Sequence, residues 1–434
     1  MSKKICVIGL GYIGFPTSLV FAKAGYEVVG VDINENVVSA LQAGQTHIEE
    51  TGLTEMFAEV RKSGRFRAQR TPEPADAYIV AVPTPVKPDH SANLDYVVSA
   101  VESVLPYLRP GNVVIVESTI PPRTIEDVVA PLLEHAGWNV GEDIYLAHCP
   151  ERVLPGRIFI ELIENNRIVG GINRESAERA AELYRPFVTG EIVMTTAAEA
   201  EMAKLIENTF RDVNIALVNE LAKVSAAIGV DVLEAIRLAN KHPRVRLHAP
   251  GPGVGGHCIA VDPYFIIEKA PDLTPLITTA RHVNRSMPFF VLEQVGKLVE
   301  PHASHKVAVF GLAYKGNVDD VRESPALEIA QLLMERGYRV YAHDPHVRRE
   351  AVPFELYSAE DALKGAQCAV VLTDHDEFKL LPDTLLRLMA RQVVLDTKNC
   401  VRLEEGSDAV LYNYGNLHRL NTAPVLAVSS GSRM

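Results

Sequence analysis

Lys4-Ile-Cys-Val-Ile-Gly-Leu-Gly-Tyr-Ile-Gly14, then an apolar helical stretch to Ala24, then Glu27-Val-Val-Gly-Val-Asp32: these residues decide the fold. Residues 4–8 form a short apolar run of the kind that makes a strand buried on both faces. Gly9, Gly11 and Gly14 follow it and open a helix, and Gly25 stops that helix. Asp32 then ends the next apolar run. Glycines at this spacing permit a tight turn and let a pyrophosphate approach the helix N-terminus, where N–H groups and the dipole favour anions. An acid closing the second strand accepts hydrogen bonds from an adenosine ribose and repels a 2′-phosphate. The pattern therefore predicts NAD, in preference to NADP.

Working outward, strand-like runs recur at 77–82, 113–117 and 144–147, with helical stretches between them, which predicts a parallel sheet covered on both faces. From about Thr196 to Asn240 no strand signal is present. Met202, Leu205, Ile206, Val213, Leu217, Leu221 and Val224 recur near helical spacing there, so the stretch reads as one long helix whose stripe is mainly core, with part left for a subunit interface. A break at Pro301-His-Ala-Ser-His precedes a second alternating section. Its strands fall at 306–310, 339–342, 368–372 and 392–395, its helix at 324–336, and its irregular tail after about Leu420. The predicted architecture is two Rossmann-like, doubly wound parallel-sheet domains joined by a central helical domain with a long spine helix. The expected divisions are 1–195, 196–300 and 301–434.

Bulk properties limit the partners. A chain of 434 residues exceeds what one core organises. Its net charge of −12 argues against nucleic acid or an anionic membrane surface as partner. The five cysteines are scattered, with no Cys-x-x-Cys pair, which predicts reduced thiols and no metal site. The apolar run after Lys3-Lys4 carries three glycines and flows into the fold pattern, so it is not read as a secretory leader. No apolar stretch is long and clean enough to span a bilayer. A cytoplasmic protein is expected.

Cys258 ends the run Gly251-Pro-Gly-Val-Gly-Gly-His-Cys. A nicotinamide site alone implies removal of one hydride; a thiol adds a second step, because sulfur can add to an aldehyde and the adduct can lose another hydride to become a thioester. Gly253, Gly255 and Gly256 suggest close backbone approach to a ligand. Asp262-Pro263 reads as a helix start just beyond the thiol. His257 is adjacent to the thiol, but neighbouring side chains diverge, so it is not cast as its base. Lys204 and Asn208, four apart, share one helix face and could hold an oxygen that gains negative charge. In the second alternating section Gly311-Leu-Ala-Tyr-Lys315-Gly lacks the dinucleotide glycines. Lys315 and Arg322 lie beyond a strand end and suit a nucleotide's phosphates.

Together these stretches resemble the UDP-glucose/UDP-N-acetylmannosamine 6-dehydrogenase family over nearly the whole chain. The matching motifs are Gly9–Gly14, Val82-Pro-Thr-Pro85, Glu117-Ser-Thr119, Cys149–Gly156, Lys204 to Asn208, Gly253–Asp262 and Gly311–Ser324. Cys149–Gly156, His242-Pro-Arg244 and Pro250–Pro263 look most like the UDP-N-acetyl-D-mannosamine branch, which serves surface polysaccharides. The resemblance implies oxidation of C6 to the uronate with two NAD per sugar. It implies Cys258 as nucleophile, Lys204 and Asn208 at the oxyanion, and Asp262 and Thr119 positioning water or the reacting groups. It places Gly9, Gly11, Tyr12, Ile13, Gly14, Asp32, Pro83, Thr84 and Thr119 at the cofactor. Around the UDP-sugar it places Arg152, Val153, Leu154, Lys204, Asn208, His242, Arg244, Gly255, Lys315 and Arg322. Arg244 would reach the neighbouring subunit's pocket, so a homodimer is expected. One departure matters: UDP-glucose dehydrogenases carry two glutamates where this chain has Glu151 and Pro155. The water-activating group is therefore either Glu151 or a water held by Asp262 and Thr119. The rivals are the same chemistry on UDP-N-acetylglucosamine or its galacto epimer, a two-electron β-hydroxyacid dehydrogenase, and a non-catalytic nucleotide sensor.

Overall fold

The computed structural model describes residues 3–421 except Pro155, His257 and Ala303. The expected irregular tail lies outside the described residues. The chain forms two compact units, 1–207 with 264–273, and 208–263 with 274–434.

The first unit is built on eight strands: β1 (Lys4–Ile8), β2 (Glu27–Val31), β3 (Phe66–Gln69), β4 (Ala77–Val80), β5 (Val113–Val116), β6 (Tyr145–His148), β7 (Arg167–Gly171) and β8 (Ile192–Thr196). Their order is β3-β2-β1-β4-β5-β6-β7-β8. The first six are parallel, in the order of a dinucleotide-binding sheet. β7 turns back antiparallel to β6, and β8 runs parallel to β7. The central strands alternate between two buried faces, which is why they read as unbroken apolar runs. Ile5, Val7, Ile79 and Ile115 face one core with Phe15, Phe21 and Tyr184, while Cys6, Ile8, Val80 and Val114 face the other with Val97, Val101 and Leu133.

The second unit contains a five-stranded parallel sheet in the order β10-β9-β11-β13-β15. These are β9 (Lys306–Phe310), β10 (Arg339–His343), β11 (Cys368–Val371), β13 (Val393–Asp396) and β15 (Val410–Asn413). A two-stranded ribbon, β12 (Leu380–Leu381) with β14 (Arg402–Leu403), stands beside it. One face packs on the helices Met287–Leu298 and Pro325–Glu335 and on Val218, Ala222 and Ala226. Ser324 caps the second of these helices, accepting the Leu327 N–H.

The spine helix spans Ala197–Ile228. Its pattern inverts the expectation of a mainly core stripe. Leu205 is buried, but Ile206, Leu217, Leu221 and Val224 are exposed, as is Phe210 at 63%. Beyond Leu205 the buried side carries Val218 and small alanines together with the polar Asn208, Asp212 and Asn219. These polar groups are bonded laterally. Arg281 Nη1 donates to Asp212 Oδ1 at 2.6 Å, Asn284 Nδ2 to the same oxygen at 2.8 Å, and Asn219 Nδ2 to Asn284 Oδ1 at 2.9 Å. Bonds of this kind offset the cost of burying polar groups, so hydrogen bonds hold the helix on its inner side while its apolar edge faces outward.

Candidate active site

In the first unit the three glycines have three separate reasons. Gly9 has φ +92°, and a Cβ there would stand 2.5 Å from the Ala81 carbonyl oxygen. A Cβ on Gly14 would stand 1.9 Å from the Gly9 oxygen. Gly11 is different: its φ lies outside the left-handed region and its Cβ would meet nothing within 4 Å. The protein itself gives Gly11 no cause to be glycine. The space before it lies at the start of the helix Gly14–Lys23, whose first turn has no side-chain cap. That suits an anion. Asp32 Oδ2 accepts the Leu10 N–H at 2.9 Å and Oδ1 accepts the Asn34 N–H at 2.8 Å, so the acid also braces the loop. Tyr12 is partly exposed, and Ile33, beside Asp32, is 78% exposed, an apolar surface that sequence reasoning overlooked. These residues fit a dinucleotide.

Along the same strand edge, the β4 and β5 loops are joined. Ser118 Oγ accepts the Val82 N–H at 3.0 Å, and Thr84 Oγ1, next to exposed Pro83, donates to the Thr119 carbonyl at 2.6 Å. Beyond β6, Arg152 pairs with Glu207 at 2.8 Å, and Leu154 N–H donates to Glu161 at 2.9 Å, while Val153 packs on the core. Lys204 is 8% exposed. It adds to the effect of burial on His148, whose imidazole is driven down to about 3.

Sequence reasoning missed a charged cluster beneath this edge. Arg167 Nη2 lies 3.1 Å from Glu151 Oε2, and its Nη1 lies 3.9 Å from Glu117 and 3.6 Å from Cys149 Sγ. Tyr184 donates to Glu117 Oε1 at 2.7 Å, and its ring lies under the guanidinium at 4.7 Å. Burial pushes the Glu117 carboxyl up to about 7 against the pull of Arg167. The available signal was an acid closing the otherwise apolar β5 run, and an arginine opening β7.

The second unit holds the thiol. Cys258 is half-buried, and its carbonyl accepts the N–H groups of Val261 at 3.1 Å and Asp262 at 2.8 Å. That turn leads into the helix Asp262–Lys269, as the Asp-Pro start predicts. Asn208 Nδ2 donates to the buried Asp262 carboxylate at 2.6 Å. Asn208, Asp262 and the Cys258 turn are thus one bonded group. His257 and Pro155 lie outside the described residues.

The glycines before Cys258 acquire a different reason from the one expected. A Cβ on Gly253 would touch Pro325 at 3.0 Å, one on Gly255 would meet Tyr314 at 2.7 Å, and one on Gly256 would strike the Tyr314 ring at 2.9 Å. Gly256 N–H donates to the Arg322 carbonyl at 3.0 Å. The chain is stripped of side chains to lie on its own neighbouring segment. Arg322 pairs with Asp320 at 2.6 Å and is exposed, while Lys315 is half-buried in the same loop. His242 and Arg244 are exposed on a loop pinned by Asn240, which accepts the Leu247 N–H at 2.7 Å.

Gly311 and Asp344 reproduce the positions of Gly9 and Asp32. Gly311 has φ +89°, and its Cβ would meet Thr373 at 2.4 Å. However, Ala313 fills the place of Gly11 and is buried. Asp344 accepts the N–H groups of Leu312, Ala313, His346 and Val347 and pairs with His375 at 3.1 Å. No acceptor remains for a ribose, which accounts physically for the missing second fingerprint. His346, His375 and Glu377 stand close enough to share a cation. Both His375 nitrogens are already engaged, by Asn317 N–H and by Asp344, so only one imidazole and an exposed glutamate remain.

Family models match all three segments: the NAD binding domain of the UDP-glucose/GDP-mannose dehydrogenase family over residues 3–188, its central domain over 198–286, and its UDP binding domain over 308–403. The chain belongs to this family. It is an NAD-dependent UDP-sugar dehydrogenase. A UDP-N-acetyl-D-mannosamine dehydrogenase of Methanocaldococcus jannaschii is 47% identical, covering 93% of this chain and 94% of its own. One from Escherichia coli K12 is 44% identical over 92% and 99%. Among solved structures, a UDP-N-acetyl-mannosamine dehydrogenase of S. aureus is 50% identical with TM-score 0.90, covering 96% and 100%. A UDP-glucose dehydrogenase of Pyrobaculum islandicum is 29% identical with TM-score 0.83, covering 96% and 98%. Among the described residues, no helix is long and apolar enough to cross a membrane.

Proposed function

We propose that this family member oxidises C6 of UDP-N-acetyl-D-mannosamine to the uronate, with four electrons removed in two steps. The relatives named above support the substrate, and the bonded group of Asn208, Asp262 and the Cys258 turn carries the mechanism. NAD, when bound, accepts a hydride in each step; the glycine loop, Asp32, Pro83, Thr84 and Thr119 would hold it. The first step leaves an aldehyde. Cys258 sulfur then adds to the aldehyde carbon, and the oxygen of the resulting thiohemiacetal is held by Lys204 and Asn208. Asp262 binds one amide N–H of Asn208 and so orients the other. Loss of the second hydride leaves a thioester. Water adds to it, the C–S bond breaks, and the thiol recovers its proton. Glu151, or a water positioned by Asp262 and Thr119, activates that water.

Lys315 and Arg322 would face the UDP phosphates, and Arg152, Val153, Leu154, His242 and Gly255 would line the sugar's surroundings. We divide these duties among segments 1–195, 196–300 and 301–434. The outward apolar edge of the spine helix supports a homodimer in which Arg244 reaches the partner's pocket, and we place the protein in the cytoplasm. The test is NADH formed per sugar. Two are expected from the unaltered enzyme, with acid formation reduced at least about 100-fold in Cys258→Ser. One NADH per sugar with an intact thiol, or acid at the normal rate without it, refutes the mechanism.

A further inference from the structure

Glu117 and Glu151 come from different segments, one closing β5 and one following β6, yet both reach the Arg167 guanidinium. All three side chains are 8% exposed or less. The other groups against this trio are Cys149 on the loop after β6, Tyr184 at the end of the helix Arg174–Tyr184, Thr17 on the helix Gly14–Lys23, and Arg152, whose backbone N–H donates to Glu151 Oε1 at 2.6 Å while its guanidinium pairs with Glu207. None of these brings an uncompensated positive charge. Two carboxylates and one guanidinium therefore leave a buried net charge of −1 when all are ionised. Water cannot screen that excess, so a proton is drawn into the cluster near neutral pH.

We propose that Glu117 is a positioning residue that sets how firmly Arg167, the guanidinium they share, holds Glu151. This deepens the four-electron reading, in which Glu151 is a candidate to activate water. When Glu117 holds a proton, Arg167 belongs to Glu151 alone and keeps its Oε2 engaged. When Glu117 ionises, Arg167 is divided between the two carboxylates, and Glu151 is freer to accept a hydrogen bond from the attacking water. Thioester hydrolysis then accelerates as pH rises through the Glu117 titration, while the first hydride step is unaffected. Tyr184, bonded to Glu117 Oε1, favours its ionised form.

Glu117→Gln keeps the side-chain size and the Tyr184 hydrogen bond but cannot ionise. Single-turnover uronate release from UDP-N-acetyl-D-mannosamine is followed in both enzymes. At about pH 6 they should agree within about twofold. At about pH 8.5 the variant should be about three- to tenfold slower. Intact mass should then show acylated Cys258 accumulating. Equal rates at both values, or the same deficit at both, overturn the proposal; the second result would be mere structural damage.

A readout free of catalysis accompanies it. A carboxyl whose folded value is raised imposes no cost below its usual value of 4.5 and its full cost above about 7. The unaltered protein's melting temperature should therefore carry a fall across that interval that Glu117→Gln lacks. Parallel melting curves overturn the proposal. One NADH per sugar from the unaltered enzyme would remove the four-electron reading instead, and the charge coupling would then be judged on the melting curves.

Discussion

Gly11→Ala separates the needs of the fold from those of the cofactor. The neighbouring glycines cannot serve, because a Cβ at Gly14 or Gly9 would lie 1.9 or 2.5 Å from a carbonyl oxygen. At Gly11 the same atom meets nothing within 4 Å, and its φ lies outside the left-handed region that strains a side chain. Alanine also restricts the unfolded chain, so stability should hold or rise by about 0.4–1 kcal/mol. The added methyl would occupy the space where a pyrophosphate approaches the uncapped helix start. Losing one charge-assisted hydrogen bond there costs about 1.5–3 kcal/mol, equivalent to about 10- to 150-fold weaker NAD binding. Calorimetric titration with NAD and thermal unfolding on the same samples measure both quantities, with Gly14→Ala as the folding-defect comparison. NAD binding within about threefold of the parent refutes the assignment of that space. So does a melting temperature as low as that of Gly14→Ala.

Two further outcomes are expected. Burial would raise the Asp344 carboxyl, but bonds from His375 and the Leu312 and His346 N–H groups hold it at about 2. The resulting stabilisation, about 2 kcal/mol, is complete above its usual value of 3.8 and is lost as pH falls toward 2. Asp344→Asn should accordingly lower the melting temperature at pH 7, with a gap that narrows in acid; a constant gap would contradict the charge argument. Phe210→Ser with Leu217→Ser removes exposed apolar surface, so the helix should persist while the proposed dimer falls to monomer in sedimentation. An unchanged dimer would place the interface elsewhere.

The legible parts of the fold were those with two buried faces. β1, β2, β4, β5, β9 and β11 read as apolar runs because each faces cores on both sides. β3, β7 and β8 were not foreseen. β3 is an edge strand with alternating exposure, β7 opens with an arginine and ends in two glycines, and β8 is largely exposed. The spine helix was found by its period, but its burial could not be read from hydrophobicity. Its polar face is bonded to Arg281 and Asn284, more than sixty residues away in sequence. The glycine loop before Cys258 was noticed for a ligand's sake, whereas its nearest neighbours are Tyr314 and Pro325. Composition cannot tell which partner a bare backbone approaches. The Glu117–Arg167–Glu151 cluster escaped for a related reason, because its members meet only once the sheet is assembled.

That contact between the Cys258 loop and Tyr314 has an engineering consequence. Residues 250–256 are moulded to the surface of the segment that matches the UDP binding domain, and Gly255 tolerates no side chain against it. A chimaera spliced near residue 301 to import another relative's nucleotide preference would seat a foreign surface beneath this loop and displace the Cys258 turn. A workable crossover would have to carry 208–263 along with the C-terminal sheet as one inherited block.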